Sequence, residues 1–198
     1  EKYGRWFGVP TELIMDANLH VEKGRLCPGQ TVAIPGYDMM DTWEALASCL
    51  SLPVEALQRL PGAMAVINGT VPLPKRIISP VVRRAQPYDF AALAEDIEAI
   101  IRCYPFVRRR TIGHSVLGLP LVELQIGRGP VRIHMNGSFH ANEWITTAVL
   151  MALIDDYLRA LVDDAVLAGH RVLEYYHKVT LSIVPMVNPD GVNLVLNG

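Results

Sequence analysis

Between Val131 and Asn188 the chain changes its periodicity twice, and that change restricts the fold more than any other feature of the sequence. "VRIHMNG" (Val131–Gly137) alternates, with Val131, Ile133 and Met135 on one side and Arg132, His134 and Asn136 on the other, as a strand requires. The spacing then predicts a helix over Ile145–Leu161, with Ala148, Val149, Ala152, Leu153, Leu158 and Leu161 on a broad apolar face. "KVTLSIVPMVNPDG" follows as a largely apolar strand of the kind buried on both sides. Strand, helix, strand is a βαβ unit, expected to be parallel and right-handed.

In an open α/β sheet, sites form beyond the carboxyl ends of the strands. "HANE", with His140 and Glu143 in H-x-x-E spacing, lies past the first of these strands, and "NPDG" (Asn188–Gly191) lies past the second. Two separate segments therefore bring polar residues to one edge. An imidazole and a carboxylate three residues apart at a helix entry can reach one zinc ion from the same side. An acidic residue at a helix N-terminus is also favoured by the helix dipole alone. At this point both readings stand: a metal site, or an ordinary helix start beside a loop histidine.

Bulk properties narrow the field. The 198 residues are 51% hydrophobic and 19% charged, which predicts a packed globular chain. A net charge of −2 gives no basic surface for nucleic acid. No apolar run is long enough to span a membrane. Cys27, Cys49 and Cys103 are odd in number and lack C-x-x-C spacing, so free buried or half-buried thiols are expected, and neither a disulfide framework nor a cysteine zinc site. Glu1 and Gly198 both read as cut ends, the latter just after a strand-and-turn pattern.

The first 76 residues carry a weak internal repeat. Pro10, Glu12 and Ile14 align with Pro53, Glu55 and Leu57; Thr31 and Pro35 align with Thr70 and Pro74. In each copy a proline opens a short helix, and a glycine turn leads to a short strand ending in proline. The second copy adds an earlier helix with Asp41 as N-cap, Glu44 at capping-box spacing, and Trp43, Leu46 and Leu50 on one face. Two unrelated helical hairpins would also produce this pattern. "LCPGQTVAIPG" resembles the LysM module, a small βααβ unit that binds peptidoglycan or chitin. The resemblance covers 1–36, lacking its opening strand and much of its first helix, and 37–76, whose start is degenerate. Residues 77–86 read as a linker.

From Pro87 the pattern changes. Asp89 is expected to cap a helix with Phe90, Leu93, Ile97 and Ile100 on one face. "RRTIGHSVLGLPLVELQIG" predicts two strands joined around Gly118. "YPFVRRRTIGHSVLGLPL", "GSFHANEWITTAVLMALI" and "VPMVNPDGVNL", in that order, resemble the zinc carboxypeptidase family. The implied fold class is α/β: the N-terminal half of a mixed-sheet zinc carboxypeptidase domain over 87–198, preceded by the two LysM-like modules. With those modules the resemblance points to bacterial peptidases that cut γ-D-glutamyl–diamino acid bonds in peptidoglycan stem peptides, at the wall or within a sporulating cell.

The resemblance implies Zn2+ as cofactor and His140 and Glu143 as its ligands. It makes Asn188 and Asp190 structural neighbours of the site. Asn142 becomes a subsite candidate, standing where digestive relatives carry an arginine. The family's third ligand, a histidine, and its general base, a glutamate, are implied to lie beyond residue 198, so an inactive fragment is expected. His114, His134, His170 and His177 are poor substitutes, and His134 is expected to be hydrogen-bonded within the sheet. A wall-binding protein without catalysis, or an aspartoacylase-type deacylase using the same H-x-x-E, are the alternatives.

Overall fold

The computed structural model describes residues 1–21, 30–40, 53, 55, 73–82 and 87–198. The expected helix with Asp41, Trp43, Glu44, Leu46 and Leu50, and the thiols Cys27 and Cys49, lie outside the described residues. The chain divides into two compact units, one of Glu1–Gly36 with Ser79–Gly198 and one of Tyr37–Ile78.

The larger unit begins with two short helices, α1 (Lys2–Phe7) and α2 (Thr11–Ala17). Gly8 ends α1 in the left-handed conformation, φ 63°, which glycine adopts freely. Pro10 stands at the N-cap of α2, where its missing N–H costs nothing. The expected short strand before Pro35 is absent: residues 30–34 make no ladder. The Asn18 carboxamide instead donates to Ala33 O and accepts from Ala33 N, both at 2.8 Å. A side-chain amide thus supplies the bonds that a neighbouring strand would make to Ala33. In the smaller unit, β1 (Tyr37–Met40) pairs antiparallel with β2 (Leu73–Arg76).

Helix α3 (Phe90–Cys103) starts where expected, and Asp89 accepts from Ala92 N at 2.9 Å. Leu93, Ile97 and Ile100 are buried, as is Cys103, which forms no disulfide. Strands β3 (Arg108–His114), β4 (Pro120–Gly127), β5 (Val131–Asn136) and β8 (Val179–Val184) form one sheet in the order β3-β4-β8-β5. β4 is antiparallel to both β3 and β8, while β5 is parallel to β8, so the sheet is mixed. The crossover from β5 to β8 carries α4 (Ile145–Val162), a two-residue hairpin of β6 (Val166–Leu167) and β7 (His170–Arg171), and α5 (Val172–Lys178).

The register separates the sheet faces. Leu124 and Met135 both pair with Ile183, putting them on one apolar face. Leu124, Ile126 and Ile183 form the core with Ile100, Met151, Ile154, Leu158 and Leu161. β8 is buried on both sides, as the sequence predicts, with Ile183 on this face and Thr180 and Val184 on the other. Its other face carries Ser182, which pairs with Gln125 and with His134.

Two further differences have physical causes. The buried side of α4 is Thr147, Met151, Ile154, Leu158 and Leu161, while Val149 and Leu153 are 61% and 46% exposed. The helix is apolar on nearly every side, so periodicity alone did not select the docked face. The pattern after β8 is a helix, α6 (Pro189–Asn197), and not a turn. Asn188 caps it by accepting from Gly191 N at 3.0 Å, Pro189 stands at the first position, and Asp190 sits in the first turn.

Candidate metal centre

The chain leaves β5 at Asn136 and reaches α4 through eight residues that double back over the end of β8. Gly137 is fixed there by close approach. A Cβ on it would stand 2.8 Å from Pro185 O and 3.0 Å from a Leu150 methyl. Backbone bonds then join this loop to the exit of β8: Gly137 N to Val184 O at 3.1 Å, Val187 N to Gly137 O at 3.0 Å, and Asn188 N to Ser138 O at 3.1 Å.

Ala141–Glu143 form a single 3-10 turn, closed by Glu143 N donating to His140 O at 3.1 Å. Within it, Nδ1 of His140 lies 3.1 Å from Oε2 of Glu143. The two side chains are 71% and 48% exposed, so both open outward from the carboxyl end of the sheet. The Phe139 ring meets the His140 ring edge-on at 5.8 Å.

This pair fits a zinc ion. Two ligands of one tetrahedral zinc stand roughly 3.3 Å apart when each bond is about 2.0–2.1 Å. The imidazole nitrogen and carboxylate oxygen already approach to nearly that separation. They are also a donor set that zinc takes readily. Among the described residues no three or more His, Cys, Asp or Glu side chains gather as a metal group.

The other candidates are distributed around this pair. Asn142 is exposed in the turn between the two donors. Asn188 reaches the loop through its backbone, as above. Asp190 turns the other way: its Oδ1 accepts from Ser115 Oγ at 2.7 Å and its Oδ2 from Leu117 N at 2.9 Å, holding the β3–β4 turn. His134 points across the sheet, with Nδ1 3.1 Å from Ser182 Oγ. His114 ends β3 and is exposed. His170 stands 3.7 Å from Glu174, and His177 is exposed on α5 beside the Tyr176 ring.

Sequence reasoning gave no role to Ser138, Thr146, Thr147 or Ser115, all of which make specific bonds at this edge. The available signal was a cluster of hydroxyl residues bracketing H-x-x-E, in "GSFHANEWITT". It lacks the chemistry of ligands, and hydroxyls at a helix entry are common caps.

A mixed sheet whose parallel βαβ unit delivers a histidine and a glutamate to its carboxyl edge defines a metallohydrolase-type domain. Residues 93–198, more than half of the chain, match the zinc carboxypeptidase family. The chain belongs to that family, whose metal is zinc.

The chain is 38% identical over 203 residues to gamma-D-glutamyl-L-diamino acid endopeptidase 1 of Lysinibacillus sphaericus, covering 97% of this chain and 51% of that protein. It is 34% identical over 193 residues to the uncharacterized protein YqgT of Bacillus subtilis (strain 168), covering 96% of this chain and 46% of that one. The chain thus spans about half the length of these curated relatives. Among solved structures, bovine thrombin-activatable fibrinolysis inhibitor in complex with tick carboxypeptidase inhibitor is similar, with a TM-score of 0.45 and 22% identity over 57% of this chain and 34% of that one. No helix of the described residues is long and apolar enough to cross a membrane.

Proposed function

We propose that His140 and Glu143 are two protein ligands of a catalytic zinc. The protein they serve is a peptidase that hydrolyses γ-D-glutamyl–diamino acid amide bonds in peptidoglycan stem peptides. The 3.1 Å approach of the imidazole and carboxylate at the strand edge, in a zinc carboxypeptidase chain, carries this reading. The 38% identity to an endopeptidase named for that bond supports the substrate class. Bound there, the zinc would polarise the scissile carbonyl and lower the pKa of a coordinated water.

The chain's own residues have separable tasks. His140 and Glu143 hold the ion on a turn whose backbone is tied to β8. Asn142, exposed between them, offers an amide donor and acceptor to substrate. Asn188 and Asp190 support the surrounding loops. Residues 1–198 alone are expected to bind zinc weakly and not to turn over, since the described residues assemble two donors where catalytic zinc takes three. The sequence repeat, with Pro10, Glu12 and Ile14 matching Pro53, Glu55 and Leu57, supports two LysM-like modules at 1–36 and 37–76 that hold wall glycan. The β1–β2 pairing, which closes the ends of the second, fits a βααβ unit.

Zinc titration of residues 1–198 by competition with a chromogenic chelator tests the site. One weak equivalent is expected, lost in His140→Ala and Glu143→Ala. Uptake that both variants retain would sink the assignment. Sedimentation of the chain with purified peptidoglycan tests the modules; a chain that stays wholly in the supernatant argues against them. Cleavage of a γ-D-glutamyl–diaminopimelate peptide by residues 1–198 would contradict the expected inactivity.

A further inference from the structure

Ser138 is the one residue of the metal loop held against its own backbone preference. Its φ is +50°, in the left-handed region, and it is 1% exposed. A non-glycine residue there is strained, and such strain persists only where the surroundings enforce it. Glycine would adopt the conformation freely, so the hydroxyl must justify the serine.

Two ordered hydrogen-bond chains leave this residue. The Ser138 N–H donates to Thr146 Oγ1 at 2.6 Å, and the Thr146 hydroxyl donates on to the carbonyl of Glu143 at 2.8 Å. The Thr147 hydroxyl donates to Pro185 O at 2.7 Å, which commits its proton. The 2.6 Å contact between Ser138 Oγ and Thr147 Oγ1 therefore runs from serine to threonine. One arm ends on the backbone of the carboxylate donor, and the other ends on the exit of β8. Ser138 also receives Asn188 N on its carbonyl at 3.1 Å.

We propose that Ser138, acting through Thr146 and Thr147, is a positioning element that sets the separation of His140 and Glu143 before metal arrives. None of the three hydroxyls is a ligand. They fix both ends of a six-residue span, and the two donors lie inside it. Neighbours that orient ligands typically change metal affinity by about 10–100-fold when removed. The inference rests on the zinc reading for its affinity arm and on the loop geometry for its second arm.

Ser138→Gly separates positioning from folding. It relieves the strained φ and keeps the N–H arm to Thr146, losing only the hydroxyl arm. Expected are an unchanged or higher thermal midpoint together with a zinc dissociation constant weaker by about 10-fold. Thr147→Val is expected to weaken zinc at least as much, and Thr147→Ser to restore affinity to within about twofold of the parent, because the hydroxyl returns. Ser138→Gly binding zinc as tightly as the parent would overturn the proposal.

A metal-free measurement runs alongside. Amide exchange at Glu143, whose N–H closes the turn on His140 O, is expected to accelerate in Ser138→Gly while the amides of α4 keep their protection. Unchanged exchange at Glu143 overturns the positioning role. Should the parent chain take up no zinc that His140→Ala abolishes, the zinc reading fails, and this arm still decides whether Ser138 sets the loop.

Discussion

The hydroxyl of Tyr176 donates to Oδ2 of Asp16 at 2.6 Å, joining α5 to α2 across 160 residues of chain. Arg128 pairs with the same carboxylate and lies over the Tyr176 ring, its guanidinium carbon 5.6 Å from the centroid. Tyr176 is buried, and burial, followed by its bond to Asp16, pushes its pKa up. The first 36 residues are thereby held on the body that carries the H-x-x-E loop, within one compact unit.

Asp16→Ala removes the acceptor of a buried hydroxyl. A stability loss of about 1–3 kcal/mol is expected, the usual cost of a buried polar group left without its partner. Asp16→Asn keeps an oxygen facing Tyr176 and should lose less. Urea unfolding followed by tyrosine fluorescence checks the order; equal effects of the two substitutions would show that the Arg128 charge pair, and not the hydroxyl, matters.

Glu123 gives the sheet an acid-sensitive component. Its carboxylate accepts from Ser182 Oγ at 2.5 Å, from Gln125 at 3.0 Å and from Arg110 Nε at 3.0 Å. The Ser182 bond above all holds its pKa below the ordinary value; burial, next in size, opposes it, and the bonds from Gln125 and Arg110 add to the lowering. A depressed folded pKa contributes stability that is present above the unfolded value, near about 4.3. That contribution is lost as pH falls through the lower folded value. Glu123→Gln should therefore destabilise the chain at pH 7 and flatten the acid limb of its stability curve below about pH 4.3. Denaturant midpoints measured from pH 7 to pH 3 check this, and an acid limb of unchanged slope would contradict it.

Asp190→Ala cuts both bonds that hold the β3–β4 turn, leaving Ser115 Oγ to its remaining contact with Leu119 N at 2.9 Å. Faster amide exchange at Leu117 is expected, with a global loss of about 1–2 kcal/mol for two part-exposed bonds. Protection at Leu117 equal to the parent would show that the turn holds its own shape.

Tyr104 gives a prediction of opposite sign. Its hydroxyl is buried with no hydrogen-bond partner among the described residues. Burial, then the nearby Asp155 carboxylate, pushes its pKa up. Tyr104→Phe removes that polar group and keeps the ring, which packs edge-on to Phe106 at 6.4 Å. Thermal unfolding should show unchanged or raised stability, by up to about 1 kcal/mol. A marked loss would reveal a partner for the hydroxyl.

Much of the architecture is legible in the sequence because its signals are local. Alternation marked β5, the apolar period marked α4, Asp89 marked the start of α3, and Gly118 marked the β3–β4 turn. The parallel pairing of β5 with β8 followed from the crossover between them. H-x-x-E was visible because His140 and Glu143 lie within one turn. Relationships across long separations were less accessible. The docked face of α4 depends on where Ser138 and Pro185 seize Thr147. The strand expected before Pro35 is replaced by a carboxamide no pattern announces. Helix α6 was hidden because "NPDG" is as good a turn as it is a helix start. Ser138 reveals itself only through a dihedral angle.

The bonds from Val187 and Asn188 back to Gly137 and Ser138 also set an order of events during synthesis. The ribosome delivers the H-x-x-E loop about fifty residues before the segment that pins it, so His140 and Glu143 emerge on a tether closed at only one end. Contacts so distant in sequence form late, because the closure entropy of the intervening chain must first be overcome. Organisation of the turn is therefore coupled to the arrival of β8 and the cap of α6. A nascent chain stalled before Val187 would carry His140 and Glu143 without the frame that aligns them.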